Sequence, residues 1–390
     1  MQRVETAPPI SLRPAETLAP IKRATTFQSI AFVVFATMLI RIAIIGLASL
    51  LSVFDRSGSI RTFVDGVNDQ FFVGNYVIAV SLAIYLHYRL TRGEQMNVLF
   101  ETFTHMLRNR SAIIGTVLIF FILIVGDFAP VIATHNPIQP LFGTEGLPPR
   151  PQSAPPCIPA FGCEYALNIL GIDLNVRDLF SRIVYGARTS LTVGIASVSF
   201  AIAIGTMIGL VSGYAGGWVD NLLMMFMDVL LAFPSLLLAI AIVTIQGPGL
   251  DNALLAIAIV SIPVYARLTR ASVLSVKELE FVTAERSLGA APGRILFQQI
   301  LPNTLTPLIV QGTLGIGGAV LEAAALSFIG LGAQPPQPEW GQMLSEARSY
   351  VFSAPHLVFF PGIAIMITVL GFNLLGDGLR DALDPRLSRR

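Results

Sequence analysis

The sequence predicts an all-α membrane protein with about eight transmembrane helices. Three observations carry that prediction. The 390 residues are 54% hydrophobic and only 13% charged, with a mean hydropathy of +0.71, whereas soluble domains carry about 25% charged residues. The apolar residues are gathered into long stretches, and about 20 apolar residues of helix suffice to cross the hydrocarbon core. Finally, Lys and Arg are unevenly shared between the connecting segments. Segments on the side of both termini hold 17 of them and those on the opposite side 7. The positive-inside rule then places both termini in the cytoplasm.

Residues 1–26 are polar and Pro-bearing and read as a cytoplasmic tail; the apolar run behind Lys22 and Arg23 is too long for a cleavable signal. Residues 27–54 form the first predicted span. Arg41 lies near its middle, where a charge costs about 2.5–3.5 kcal/mol and therefore faces protein, water or a partner. After a short polar hairpin, residues 71–90 form the second span, ending in the interfacial anchors Tyr85, His87, Tyr88 and Arg89. The link to residue 110 places Met96, Leu99, Phe103, Met106 and Leu107 on one face, as in a helix lying along the inner membrane surface.

The third span covers 111–133. A long outer loop follows to residue 188, Pro-rich between Pro148 and Pro159 and holding both cysteines, Cys157 and Cys163. These two either pair in an oxidising compartment or remain free thiols. At the end of the loop, Val176, Leu179, Phe180, Ile183 and Val184 define an apolar helical face with Arg177, Asp178 and Arg182 opposite, which reads as an interfacial helix leading into a span. The fourth span, 190–212, carries Gly205 and Gly209 at the small-xxx-small spacing that lets helices approach closely. The fifth, 221–246, holds Asp228 near its inner end and Pro234 as a kink. The sixth, 250–269, contains Pro263. The seventh, 304–329, carries Glu322, and the eighth is 357–379, after an outer loop with a short helix near Trp340. Glu322 is either a group lining a path or a partner in a helix-packing hydrogen bond to a Ser or Thr; Asp228 reads as the solvated end of a span.

Residues 277–302 form a polar island between the sixth and seventh spans. It is longer than a turn requires and carries Lys277, Glu278, Glu280, Glu285, Arg286 and Arg294. Phe281, Ala284 and Leu288 share a helical face, Gly289 interrupts, and Pro292 suits the first turn of a second helix whose Leu296 and Ile300 face the same way. Pro302 is expected to end that helix. The outcome is a helix, a glycine bend and a helix, with an apolar ridge that needs a partner groove.

This island resembles the EAA loop of ABC importer permeases. The resemblance lies in Phe281-Val282-Thr283-Ala284-Glu285, Gly289 and Leu301-Pro302, with Asn303 and Pro307 pointing to the peptide-importer branch. Thr283 stands where the family usually has Glu, and Glu285 where it has Ala. The stretch from Gly171 to Arg188 is similar to another family motif, with Ile172 and Asn175 replacing the usual Thr and Gly. The stretches from Leu331 to Gly341 and from Phe372 to Arg386 look like the di-/oligopeptide and nickel permeases. The resemblance covers about residues 105–390, leaving 27–104 as an added two-helix hairpin. The six spans within it would be the type I importer permease core. It implies that Phe281, Ala284, Glu285, Leu288, Gly289, Ala290, Leu301 and Pro302 dock on an ATPase subunit. It also implies a second permease, two ATPase subunits and an extracytoplasmic solute-binding protein, besides membrane lipid. The path would run between the permeases, with Glu322, Asp228 and Pro234 as its candidate residues.

Other chemistries find no support in the residues. The chain has no GxxxxGK[ST] phosphate loop, so ATP hydrolysis falls to separate subunits, and it has neither HExxH nor GxSxG. The four histidines are scattered without metal-ligand spacing, and no cofactor or metal is expected. A net charge of +1 argues against nucleic acid as a partner. A nickel or other small-solute importer, a stand-alone secondary transporter, which would show internal repeats with broken helices, and a membrane scaffold are the rival readings.

Overall fold

A computed structural model describes residues 109–141, 152–156 and 168–383. The first two predicted spans, Arg41, the amphipathic link, Cys157 and Cys163 all lie outside the described residues. Within them the chain is helical, with an isolated bridge between Ile172 and Asp178.

The elements are α1 (Arg110–Asp127), α2 (Ala129–Ile132), α3 (Leu179–Ala215), α4 (Gly217–Leu231), α5 (Ser235–Gln246), α6 (Leu250–Val276), α7 (Glu280–Ser287), α8 (Pro292–Arg294), a π-helical turn (Ile295–Ile300), α9 (Leu301–Phe328), α10 (Trp340–Ala347) and α11 (His356–Leu383). Among the described residues, five helices are long and apolar enough to cross a membrane, or six if the bent pair α4–α5 counts as one. Six is the number expected for this part of the chain.

Glycine lets these helices touch. Gly205, Gly209 and Gly213 line one side of α3, where a Cβ would stand 2.8 Å from Ile262 O, 2.5 Å from Ala266 O and 2.8 Å from Val273 Cβ of α6. The small-xxx-small reading of Gly205 and Gly209 thus describes a real helix contact, extended by one further turn. α1 packs on α11 in the same way, with Gly115 against Leu375. Asn109 closes that pair by donating to Asp381 at 2.8 Å.

Three expectations need correction. The interfacial helix and the fourth span are one continuous α3 of 37 residues. The charged residues at its start do not face solvent: Arg177, the N-cap Asp178 and Arg182 are buried, because the outer loops fold over them and supply partners. The fifth span is broken rather than kinked. α4 and α5 meet at 90°, where Pro234 has no N–H for a helical bond and its ring crowds the preceding turn. Pro263, inside α6, causes no such break. Pro302, expected to end a helix, lies in the first turn of α9, which continues from the π turn. Leu301 N–H bonds to Leu296 O, five residues back, so the turn has already left the α-helical ladder where the proline lacks its donor.

Candidate functional site

The polar island folds as a bent helical finger at the end of α6. Leu279 leads into α7, whose first turn carries Glu280 and whose last turn carries Arg286, both favourable to the helix dipole. The helix ends in a Schellman motif: Ala290 N–H bonds to Glu285 O at 3.1 Å and Gly289 N–H to Arg286 O at 3.0 Å. Gly289 takes φ +78°, and among the described residues nothing lies within 4 Å of where its Cβ would be. Glycine is needed there for backbone conformation, not for space.

The finger has an inner and an outer apolar face. Val282, Ile295 and Ile300 are buried in a cluster with Leu210, Val273 and Val276, edged by Tyr214, Ala290, Leu296 and Leu301. Glu285 Oε1 accepts from Gln299 Nε2 at 3.0 Å and joins the two limbs. Lys277 Nζ donates to Gly213 O at 3.1 Å and fixes the base to the end of α3. On the outer side Phe281, Ala284 and Leu288 are exposed, Leu288 at 87%. The ridge is therefore present but shorter than expected. Leu296 and Ile300 turn inward, because the wider π turn rotates the second limb relative to an α-helical register. Of the sequence-derived residues, Phe281, Ala284 and Leu288 share the outer face. Ala290 and Leu301 belong to the inner packing, Gly289 makes the bend and Pro302 is exposed beyond it. Val282 was missed as the anchor. Its position one residue out of phase with the ridge was the available signal.

A second group lies at the break. Ser235, the first residue of α5, donates to Glu322 Oε1 of α9 at 2.9 Å. Pro234 and Glu322 are thus brought together, and the expected packing partner of Glu322 is a serine of the fifth span. Asp228 is elsewhere: it pairs with Arg267 of α6, both side chains more than half exposed.

The outer loops enclose a buried ionic cluster. Arg177 donates to Asp173 at 2.7 Å and to Glu346 of α10 at 2.9 Å. Arg182, fully buried, lies 3.4 Å from Asp173 and 3.5 Å from Glu346 and donates to the carbonyls of Pro137 and Pro336. Asp178 caps α3 on Ser181 N at 2.8 Å and also accepts from Asn168 and Thr134. Glu339 caps α10, accepting from Gly341 N at 3.0 Å, Gln342 N at 2.8 Å and Ser190 Oγ at 3.1 Å. Burial pushes its carboxyl above the usual carboxylate range, partly offset by these donors. Trp340 beside it is buried, donating to Ile183 O at 3.0 Å, and reaches that place because Gly186 has no Cβ. The described residues include no group of His, Cys, Asp and Glu fit to hold a metal ion.

Residues 205–389 match the model of the binding-protein-dependent transport system inner membrane component. The chain is 49% identical over 292 residues to the dipeptide transport system permease protein DppC of Alkalihalophilus pseudofirmus, covering 74% of this chain and 90% of the relative. It belongs to that family. This permease is also 54% identical over 218 residues to the glutathione transport system permease protein GsiD of Pectobacterium atrosepticum, covering 56% of this chain and 72% of that one. Among solved structures, the inward-facing MetNI methionine ABC transporter matches with TM-score 0.44 and 19% identity over 52% of this chain and 97% of that one, too slight a likeness to argue from. The permease is a multi-pass membrane protein and a transport subunit, not an enzyme.

Proposed function

We propose that this permease forms half of the path of an ATP-driven importer of di- or oligopeptides, and that the finger at 277–302 couples the path to cytoplasmic ATPase subunits. The observation that carries this reading is the division of the finger into two apolar faces. The inner one is packed on α3 and α6. The outer one, Phe281, Ala284 and Leu288, is left uncovered by the described residues on a projecting finger, as a helix-in-groove contact requires. Glu285 braces the finger, Gly289 sets its angle, and Ala290, Leu301 and Pro302 join it to α9. Peptide as the cargo is supported by relatives named for dipeptide and glutathione transport.

The remaining parts follow from this assignment. A second permease covers the exposed apolar side of α4 and α5, two ATPase subunits hold the fingers, and an extracytoplasmic binding protein meets the outer loops. Both termini lie in the cytoplasm by the distribution of Lys and Arg. Glu322, with Pro234 at the break, lines the path. Residues 27–104 are an added membrane hairpin.

The test is purification of the permease with its co-expressed neighbours, together with uptake of a labelled dipeptide. Wild type is expected to bring ATPase subunits with it and to support ATP-dependent uptake. Leu288→Asp is expected to insert normally and lose both. Retention of the ATPase subunits by Leu288→Asp would overturn the assignment of the ridge.

A further inference from the structure

The half-span α4 is held in an unusual way. Its buried residues are Asp220 and Met227. The rest of its surface is largely open and apolar: Trp218 is 76% exposed, and Leu222, Met225, Phe226 and Val229 are also exposed. Among the described residues, apolar packing of α4 is confined to Met227, with Met224 and Leu230 partly buried beside it. Two ion pairs add to this hold, both to α6. Arg270 grips Asp220 with two parallel bonds, Nε to Oδ1 at 2.6 Å and the terminal nitrogen to Oδ2 at 2.5 Å. Two turns further along α4, Asp228 pairs with Arg267. The hydroxyl of Ser212, on α3, also bonds to Asp220.

The two ends of this arrangement matter. α6 runs unbroken from Arg270 to Val276 and then enters the finger, so Arg270 and the finger share one rod. The far end of α4 is the 90° break, and the next helical residue, Ser235, is bonded to Glu322. From these placements we infer that the Arg270–Asp220 fork is the strap that transmits movement of the finger to the broken span, so that Arg270 and Asp220 are positioning residues for transport. A two-pronged guanidinium–carboxylate contact fixes direction as well as distance, which a single ammonium contact does not. It is the more shielded of the two pairs, with Asp220 only 11% exposed, so screening weakens it less than the Arg267–Asp228 pair.

This inference rests on the finger being the ATPase contact, and the experiment separates the two. The complete transporter, with ATPase subunits and binding protein, is reconstituted in proteoliposomes, and peptide uptake and ATP hydrolysis are measured together. Arg270→Asp is expected to keep the ATPase subunits and their hydrolysis while uptake per ATP falls about tenfold, the upper range for a coupling residue. The swap Asp220→Arg with Arg270→Asp restores most of the ratio. Arg270→Lys, which keeps the charge but not the fork, gives an intermediate ratio and serves if Arg270→Asp does not accumulate. An unchanged ratio in Arg270→Asp and Arg270→Lys, or no recovery in a swap variant that accumulates normally, would overturn the strap. Failure of the wild type to bind ATPase subunits would instead overturn the reading of the finger.

Discussion

Gly209 and Ala266 hold α3 and α6 in near-backbone contact. A Cβ on Gly209 would stand 2.5 Å from the Ala266 carbonyl oxygen and 2.6 Å from Thr269 Cβ, so no rotamer change can relieve it. Gly209→Ala is expected to lower stability in detergent by about 1–3 kcal/mol, the usual range for overpacking. Gly318→Ala, at a helical glycine with no described residue within 4 Å of the added Cβ, should leave the melting temperature unchanged or slightly raised. Equal melting temperatures for the two variants would contradict the packing described.

Gly289 tests the opposite case, with open space but a left-handed backbone. A β-branched residue there costs roughly 1–3 kcal/mol of backbone strain. Gly289→Val is expected to insert normally, by membrane fractionation, and to abolish uptake, because the angle between α7 and α8 changes. Unchanged uptake would refute the finger as a lever.

Val282 and Leu288 lie on the same short helix with opposite fates. Val282→Asp places a charge in an apolar cluster with no partner, which costs several kcal/mol. It is expected to expose 277–300 to limited proteolysis. Leu288→Asp alters a side chain already 87% exposed. It should leave the protease pattern unchanged while weakening ATPase copurification by about tenfold or more, as expected of an interface anchor.

Glu339 gives a pH signature. Its carboxyl is raised above the usual carboxylate range, chiefly by burial. A raised acid favours the protonated form in the folded state. Its contribution is fully present below the unfolded carboxylate pKa and is lost as pH rises through the folded value. Wild type is therefore expected to lose thermal stability, relative to Glu339→Gln, as pH climbs through that window. A difference that grows in favour of wild type with rising pH would mean that the donors at Gly341, Gln342 and Ser190 outweigh burial.

The finger was largely legible because its signals are local. Gly289, Pro292 and the spacing of Phe281, Ala284 and Leu288 constrain the backbone within a few residues of themselves. The misreadings at Leu296, Ile300 and Pro302 share one cause, the π turn, whose register is set by packing on Leu210 and Val273, far away in the chain. Arg177 and Arg182 were misplaced for a related reason. A helical face with two arginines looks solvated until Glu346 and two proline carbonyls, from distant loops, are found around it.

By itself the sequence determined the helical membrane class, the order of the spans within the described region, the small-residue contact surface of α3 and the bent finger. Hydropathy, glycine and proline act over short range and leave their mark in consecutive residues. Only the tertiary structure decided which charges are buried and with whom, that the fifth span breaks at Pro234 beside Glu322, and that α4 is tied to α6 by Arg270 and Arg267. Such pairings depend on which helices become neighbours. The pairs that join separate segments, such as Arg270–Asp220 and Arg177–Glu346, are selected by a few ångströms of separation between residues tens to hundreds of positions apart, and nothing in their spacing along the chain records it.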